Sequence, residues 1–135
     1  MCAINNPDEL AKLKRKEKQV VGWKIVRRNG SPLILPRRSP YGPGVSRAIG
    51  ATNKYNEHRP RGVHVYRKKK DVALSSNKYS YEVCVVKVIV KPKDIIAAEE
   101  LSMYKSQLVA KEVEITLKDW ENAGLPKRTV RKRYI

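Results

Sequence analysis

Apolar residues alternate most densely from Tyr79 to Lys91, where Tyr-Ser-Tyr-Glu-Val-Cys-Val-Val-Lys-Val-Ile-Val-Lys runs up to Pro92. Cys84, Val86, Val88 and Val90 fall on one side at period two, and Tyr81, Val83, Val85 and Ile89 on the other. Apolar residues on both sides predict a strand in the middle of a sheet, covered above and below. The remaining elements are short and are expected to pack around it.

Upstream, Asn6-Pro7-Asp8-Glu9 predicts a helix start: a capping Asn, Pro in the first turn, then two acids at the positive end of the dipole. The helix should run to about Lys18 with only Leu10 and Leu13 as anchors. So thin a stripe docks weakly, and a fixed helix or a basic arm that orders on a partner both fit. Val20 to Arg28 alternates in part and reads as a strand. Asn29-Gly30 then favours a type I′ hairpin turn, with Ser31 to Leu35 returning as an edge strand that tolerates Pro32.

Residues 36–62 read as loop-rich, with a short helix from Val45 to Ala51 and no periodicity from Asn53 to Gly62. Gly62 to Tyr66 reads as a short strand, and Arg67-Lys68-Lys69-Lys70 leads into a helix of one or two turns around Asp71 to Ser76. After Pro92-Lys93-Asp94 turns the chain, Ile95 to Tyr104 fits helix or loop. Leu108 to Leu117 alternates as one half-exposed strand. Thr116 caps a last helix, Leu117 to Ala123, stopped by Gly124 and Pro126. The expectation is a single small α+β domain, a mixed and mainly antiparallel sheet with short helices and basic terminal arms. Its parts are a basic helix or arm (1–19), a core (20–126) and a basic tail (127–135).

Composition narrows the chemistry. The chain of 135 residues fits one domain, is 41% hydrophobic and contains no Phe. The large core anchors must therefore be Trp23, Trp120 and some of the seven tyrosines. No apolar run approaches the ~20 residues that span a bilayer, and the first residues lack the apolar segment of a secretory signal. Cys2 and Cys84 make a poor disulfide framework, and two Cys with two His do not supply four zinc ligands. Reduced thiols, no metal, no cofactor and a cytoplasmic or nuclear setting are expected.

Charge is the strongest compositional feature, at +17, and it is unevenly placed. Residues 1–81 carry 19 Lys/Arg against five Asp/Glu, residues 82–121 carry six against eight, and residues 122–135 add five bases and no acid. Self-repulsion of this size is tolerated where a polyanion neutralises it. The candidate phosphate contacts are Arg27 and Arg28, Arg37 and Arg38, Arg47, Arg59 and Arg61, Arg67 with Lys68, Lys69 and Lys70, and Arg128, Arg131 and Arg133 in the tail. Arginine predominates in the loops, which suits bidentate phosphate contacts. Tyr41, Tyr55 and Tyr66 are interleaved with these bases and can stack on nucleobases, unless a core without Phe claims them. No reader helix or RNA-recognition signature is present, so binding by shape and charge is expected. His58 and His64 lack a second ligand or triad partner at the right spacing. No Walker loop or dinucleotide fingerprint occurs.

Trp23-Lys-Ile-Val-Arg, the Pro40-Tyr-Gly-Pro-Gly loop, Gly62-Val-His-Val-Tyr and the long strand ending in Pro92-Lys-Asp-Ile-Ile-Ala-Ala occur in an order that resembles small uncharacterised phage and viral proteins. That pattern is loosely similar to the split sheet of ADP-ribosyltransferases. The resemblance covers roughly residues 23–120 and implies a compact α+β fold of viral origin. Against the transferase motifs, Arg27 and Glu112-Val113-Glu114 match the first and last elements, and the Ser-Thr-Ser strand has no match. Glu-x-Glu also arises on the solvent face of any alternating strand.

A non-enzymatic binder of a polyanion is therefore expected, its partner nucleic acid or a nucleoprotein complex. If the viral resemblance holds, interference with a host defence nuclease is the natural setting. The alternatives are an inhibitor docking on an acidic protein surface, a sponge for a nucleotide signal, and an ADP-ribosyltransferase-like enzyme.

Overall fold

The computed structural model describes residues 7–32, 40–49, 51–56, 59–70, 72, 83–101 and 105–135, and only the backbone at 52–56, 59–61, 99–101 and 105–106. The elements are α1 (Pro7–Lys14), β1 (Val20–Arg27), β2 (Gly44–Arg47), β3 (Thr52–Asn56), β4 (Arg59–Arg61), β5 (Val63–Tyr66) and β6 (Val83–Val90). A 3-10 turn (Pro92–Asp94) follows, then β7 (Ile95–Leu101), β8 (Lys105–Ala110), β9 (Glu112–Ile115), α2 (Leu117–Asn122) and β10 (Arg133–Tyr134). Eight strands form one mixed sheet in the order β10-β2-β9-β6-β1-β5-β8-β7, and β3 pairs with β4 in a separate two-stranded sheet. Every pair in the large sheet is antiparallel except β10 with β2.

The valine-rich strand is central, as its sequence predicts. All eight residues of β6 register with all eight of β1, from Val20↔Val90 to Arg27↔Val83. On its other side β6 meets β9 at Ile89↔Glu114.

The sheet is strongly curled. Only Lys111 separates β8 from β9 in the chain, yet β6, β1 and β5 lie between them in the sheet. Two residue steps reach about 7 Å at most, so the wings must bend round until they meet. Backbone hydrogen bonds close this seam: Lys111 N–H donates to Asp94 O at 2.8 Å, and Ala48 N–H donates to Lys111 O at 2.9 Å. The single strand expected over 108–117 is accordingly broken at Lys111.

Residues paired across strands share a face. Val86, Val88 and Val90 of β6, with Val20, Val26, Val63, Val65, Val113 and Ile115, make a fully buried inner face. The outer face is open in part: Val21 is 39% exposed, Lys87 is exposed, and Trp23, Val85 and Ile89 are half-buried. Cover on both sides of the central strand, as alternation suggested, is thus corrected. A curled sheet encloses its core on the concave side, and the convex side of β6 keeps access to solvent. Opposite ends of the trough are plugged. Leu13 of α1 enters near Val20 and the 3-10 turn, and Trp120 of α2 lies against Gly30, beyond the other end of β1. Thr116 caps α2 by accepting from Asp119 N–H at 3.1 Å, and Trp120 Nε1 donates to Pro126 O at 2.6 Å.

Four local expectations are corrected. The turn after β1 is a three-residue loop, closed by Gly30 N–H to Arg27 O and Arg27 N–H to Ser31 O, with Gly30 left-handed at φ 86°. A type I′ turn on Asn29-Gly30 would close one residue later; the Asn29 side chain instead accepts from Ser31 N–H and tightens the longer loop. The return is a single bridge, Val26↔Pro32, and 33–35 lie outside the described residues. Residues 44–47 are a strand rather than a helix, because Ser46 packs inward and Arg47 outward at period two along β9. The aperiodic 53–62 stretch forms β3 and β4, whose ladder rests on backbone pairing alone in sequence terms, and Pro60 suits such an edge. Ile95 to Leu101 is a strand with a register shift between Ile95 and Ala97; the shift breaks the alternation and buries four successive side chains, Ile95 to Ala98. Of the helix expected around 71–76, Val72 is helical and buried, and the rest lies outside the described residues.

Gly22 lets β1 and β5 touch. A Cβ there would lie 2.3 Å from Val65 Cγ1 and 2.8 Å from Tyr66 O. Gly22→Ala is expected to lower stability by about 2 kcal/mol or more in denaturant melts, with Val65→Ala restoring part of the loss in the double variant. Simple additivity of the two changes would contradict this contact.

Candidate polyanion-binding site

The predicted cations divide into those that hold the fold and those that face outward. Arg67 is the first kind: its guanidinium pairs with Glu9 at 2.9 Å, both side chains being largely buried, which pins α1 to the end of β5. Arg128 donates to Tyr41 O at 2.7 Å and to Asn29 O, and sits over the Trp120 ring at 5.7 Å. Arg133 is 6% exposed and donates to Pro43 O at 2.6 Å, Thr129 O at 2.7 Å and Arg131 O at 3.2 Å. Reading these three as free phosphate contacts is corrected, since backbone carbonyls or a carboxylate already hold their heads. Tyr41 is 3% exposed and belongs to the core, so it offers no stacking face. Arg47 is exposed and pairs loosely with Glu112 at 3.5 Å. Arg28 is exposed, Arg27 half-buried. Arg37 and Arg38 lie outside the described residues, and Arg59 and Arg61 are placed on β4 by backbone alone.

The Glu9–Arg67 pair joins two basic runs that are far apart in sequence. Lys12, Lys14, Arg15, Lys16 and Lys18 on and after α1 are all exposed, as are Lys68, Lys69 and Lys70 after β5. Pro7–Lys14 is thus a docked helix, not a loose arm: Leu13 is 1% exposed, and α1 packs along β7.

A second basic region lies at the opposite edge of the sheet. The 127–135 segment, read from the sequence as a basic tail, is built in: β10 pairs with β2, Arg131 N–H donates to Pro43 O at 3.2 Å, and Ile135 N–H donates to Arg47 O at 2.9 Å. Gly42 makes room for the Arg133 guanidinium, which a Cβ would meet at 2.3 Å. Between this segment and Pro40 lies a cleft of about 490 Å³, walled by Arg128, Arg131, Lys132, Arg133 and Tyr134, with no acid among the described residues that line it. Tyr134 escaped sequence reasoning, and the outward placing of Lys132 within the basic tail was not foreseen. Their only signal is an in-out-in alternation over Arg133, Tyr134 and Ile135, too short to distinguish from a tail.

No family model, curated protein or solved structure matches the chain.

Residues matched to the transferase motifs are not gathered. Arg27 registers with Val83 and Glu114 with Ile89, six residues apart along β6, or about 20 Å. Among the described residues no group of three His, Cys, Asp or Glu is arranged to hold a metal. His64 is half-buried on β5, and His58 lies outside the described residues. Cys84 is a thiol, and among the described residues no helix is long and apolar enough to cross a membrane.

One further cation was missed. Lys24 points to the inner face of β1, opposite Val86. β1 and β5 share a single register pair, Trp23↔Tyr66, and where they diverge Lys24 Nζ donates to His64 O at 3.0 Å beneath the Tyr41 ring, 5.2 Å from its centroid. Part of the residue keeps contact with solvent, but burial of the ammonium lowers its pKa from 10.5 to about 8. The folded state therefore releases this proton before the unfolded state does. Below about pH 8 both states are protonated and the full penalty of about 3 kcal/mol applies; stability rises as pH climbs from about 8 to 10.5, and the penalty is gone above. Lys24→Met is expected to raise unfolding free energy near neutral pH by up to that amount, with the gain narrowing toward pH 10. A wild-type-to-variant difference that stays flat across this range would show that the ammonium is not desolvated.

Proposed function

We propose that the protein works by binding a polyanion, most plainly nucleic acid alone or within a nucleoprotein complex, and not by catalysis. The observation that carries this reading is the joining of the α1 cations to Lys68–Lys70 through the Glu9–Arg67 pair. Eight exposed Lys and Arg side chains are thereby carried by two adjoining segments, where Asp8 and Glu17 are the exposed acids among the described residues. Each phosphate they neutralise releases condensed counterions, so affinity should come from the backbone of the nucleic acid and not from its sequence. Docking α1 in advance also lowers the entropy that a disordered arm would surrender on binding. The setting we propose is intracellular. The resemblance to phage and viral proteins suggests interference with a nucleic-acid-directed host defence, for which a guide-RNA nuclease is one target.

Labelled single- and double-stranded RNA and DNA, titrated across a salt series, test the reading. Wild-type protein should show a steep log–log loss of affinity with salt. The triple change Lys68→Glu, Lys69→Glu, Lys70→Glu should reduce that slope by about 2–3 units and weaken binding by at least about tenfold at moderate salt. Circular dichroism should be unaltered, because all three side chains are exposed. Unchanged affinity and slope in this variant would remove the proposal, and feeble binding by wild type would turn attention to an acidic protein partner.

A further inference from the structure

We propose that the cleft between Pro40 and the 128–134 segment is a binding site for a nucleoside phosphate, with Arg131 and Lys132 holding the phosphate and Tyr134 stacking on the base. This deepens the polyanion reading and rests on it, but uses the opposite edge of the sheet from α1.

Shape is the first argument. At about 490 Å³ the cleft falls within the range of roughly 300–1,000 Å³ typical of small-ligand sites. Charge is the second. Among the described residues four cations and no acid line it, and Arg131 makes no ion pair. Burial, and then repulsion from Arg131 and Arg128, lower the pKa of Arg133, so these heads already crowd one another. A phosphate would relieve that repulsion.

Preorganisation is the third. Carbonyls of Tyr41, Asn29, Pro43 and Thr129 hold Arg128 and Arg133 in place, and Trp120 backs Arg128. Arg131 and Lys132 are exposed between these fixed neighbours and remain available for charge-assisted contacts. The field that draws the anion is thus set during folding and needs no further ordering on binding. Tyr134 is the fourth: it is 54% exposed on the last strand, with Lys132 Nζ 5.6 Å from its ring centroid. An exposed ring beside unneutralised cations suits a base attached to a phosphate better than a carboxylate of a peptide, which offers no π-face.

The test uses the full chain with adenosine, adenosine monophosphate and inorganic phosphate as calorimetric probes at low salt. Adenosine monophosphate should bind, phosphate should compete, and adenosine should bind at least about tenfold more weakly. Arg131→Glu with Lys132→Glu should weaken nucleotide binding by at least about tenfold, and Tyr134→Ala by about fivefold or more, with melting temperatures near wild type. Short strands with and without a terminal phosphate, measured in the Lys68/Lys69/Lys70→Glu background, identify the source. A preference for the phosphorylated strand over adenosine monophosphate marks a strand end, and equal affinity marks a free nucleotide. No binding of adenosine monophosphate by wild type, unchanged binding in the Arg131/Lys132 variant, or equal competition by polyglutamate would each overturn the proposal. Salt-dependent binding of long nucleic acid lost in the Lys68–Lys70 variant, but without nucleotide binding, would overturn the cleft alone.

Discussion

The ladder between β1 and β6 is the constraint from which the rest of the fold follows. Eight consecutive pairs lock the two strands, and five buried valines, Val20, Val26, Val86, Val88 and Val90, dominate one face of that ribbon. Both neighbours are forced to bend. β5 shares one register pair with β1, and the chain segment that pairs with β5 continues after Lys111 to pair with β6. A flat sheet cannot meet both demands with one connecting residue, so it curls, and the curl turns the valine face into an enclosed core. The separation of strands that follows is where Lys24 enters, offering its ammonium to the His64 carbonyl.

Charge is handled in an unusual way for so basic a chain. With 30 Lys and Arg against 13 Asp and Glu, carboxylates cannot pair with every cation. Backbone carbonyls take that part instead: Lys24 on His64, Arg128 on Tyr41 and Asn29, Arg133 on Pro43, Thr129 and Arg131. A carbonyl accepts a hydrogen bond but leaves the net positive charge of the cation uncompensated. The anchoring arginines therefore keep contributing to the surrounding field even though their donors are occupied. An ion pair such as Glu9 with Arg67 largely cancels its own field. Cations that build the C-terminal cleft thus serve the fold and the potential at the same time.

How much could be read in advance depended on how far each signal extended. Thirteen residues of alternation identified β6 and its central place, and Thr116 with Gly124 marked α2, because those patterns are local and redundant. Ile95 to Ala98 was ambiguous because a register shift buries both faces and erases period two. The break at Lys111 was illegible, since a bend between two strands of like polarity leaves the alternation intact on either side. Basic residues were found readily, but their roles were not. Arg128, Arg131 and Arg133 share composition and sequence neighbourhood. They differ in whether Tyr41 and Pro43, some ninety residues away, put a carbonyl in reach.

That distinction decides where an anion can act. Phosphate needs donors that are exposed, and it gains most where neighbouring positive charge is fixed. Along the last segment alternation supplies both in succession: Arg133 turns inward and is anchored, Lys132 and Tyr134 turn outward, and Ile135 returns to the core. β10 pairs parallel to β2 and so holds these outward side chains on backbone hydrogen bonds rather than on a mobile end. A polybasic tail would have to order itself around each ligand. Here the ordering is completed when the strand joins the sheet, which leaves Arg131, Lys132 and Arg133 lining one cleft.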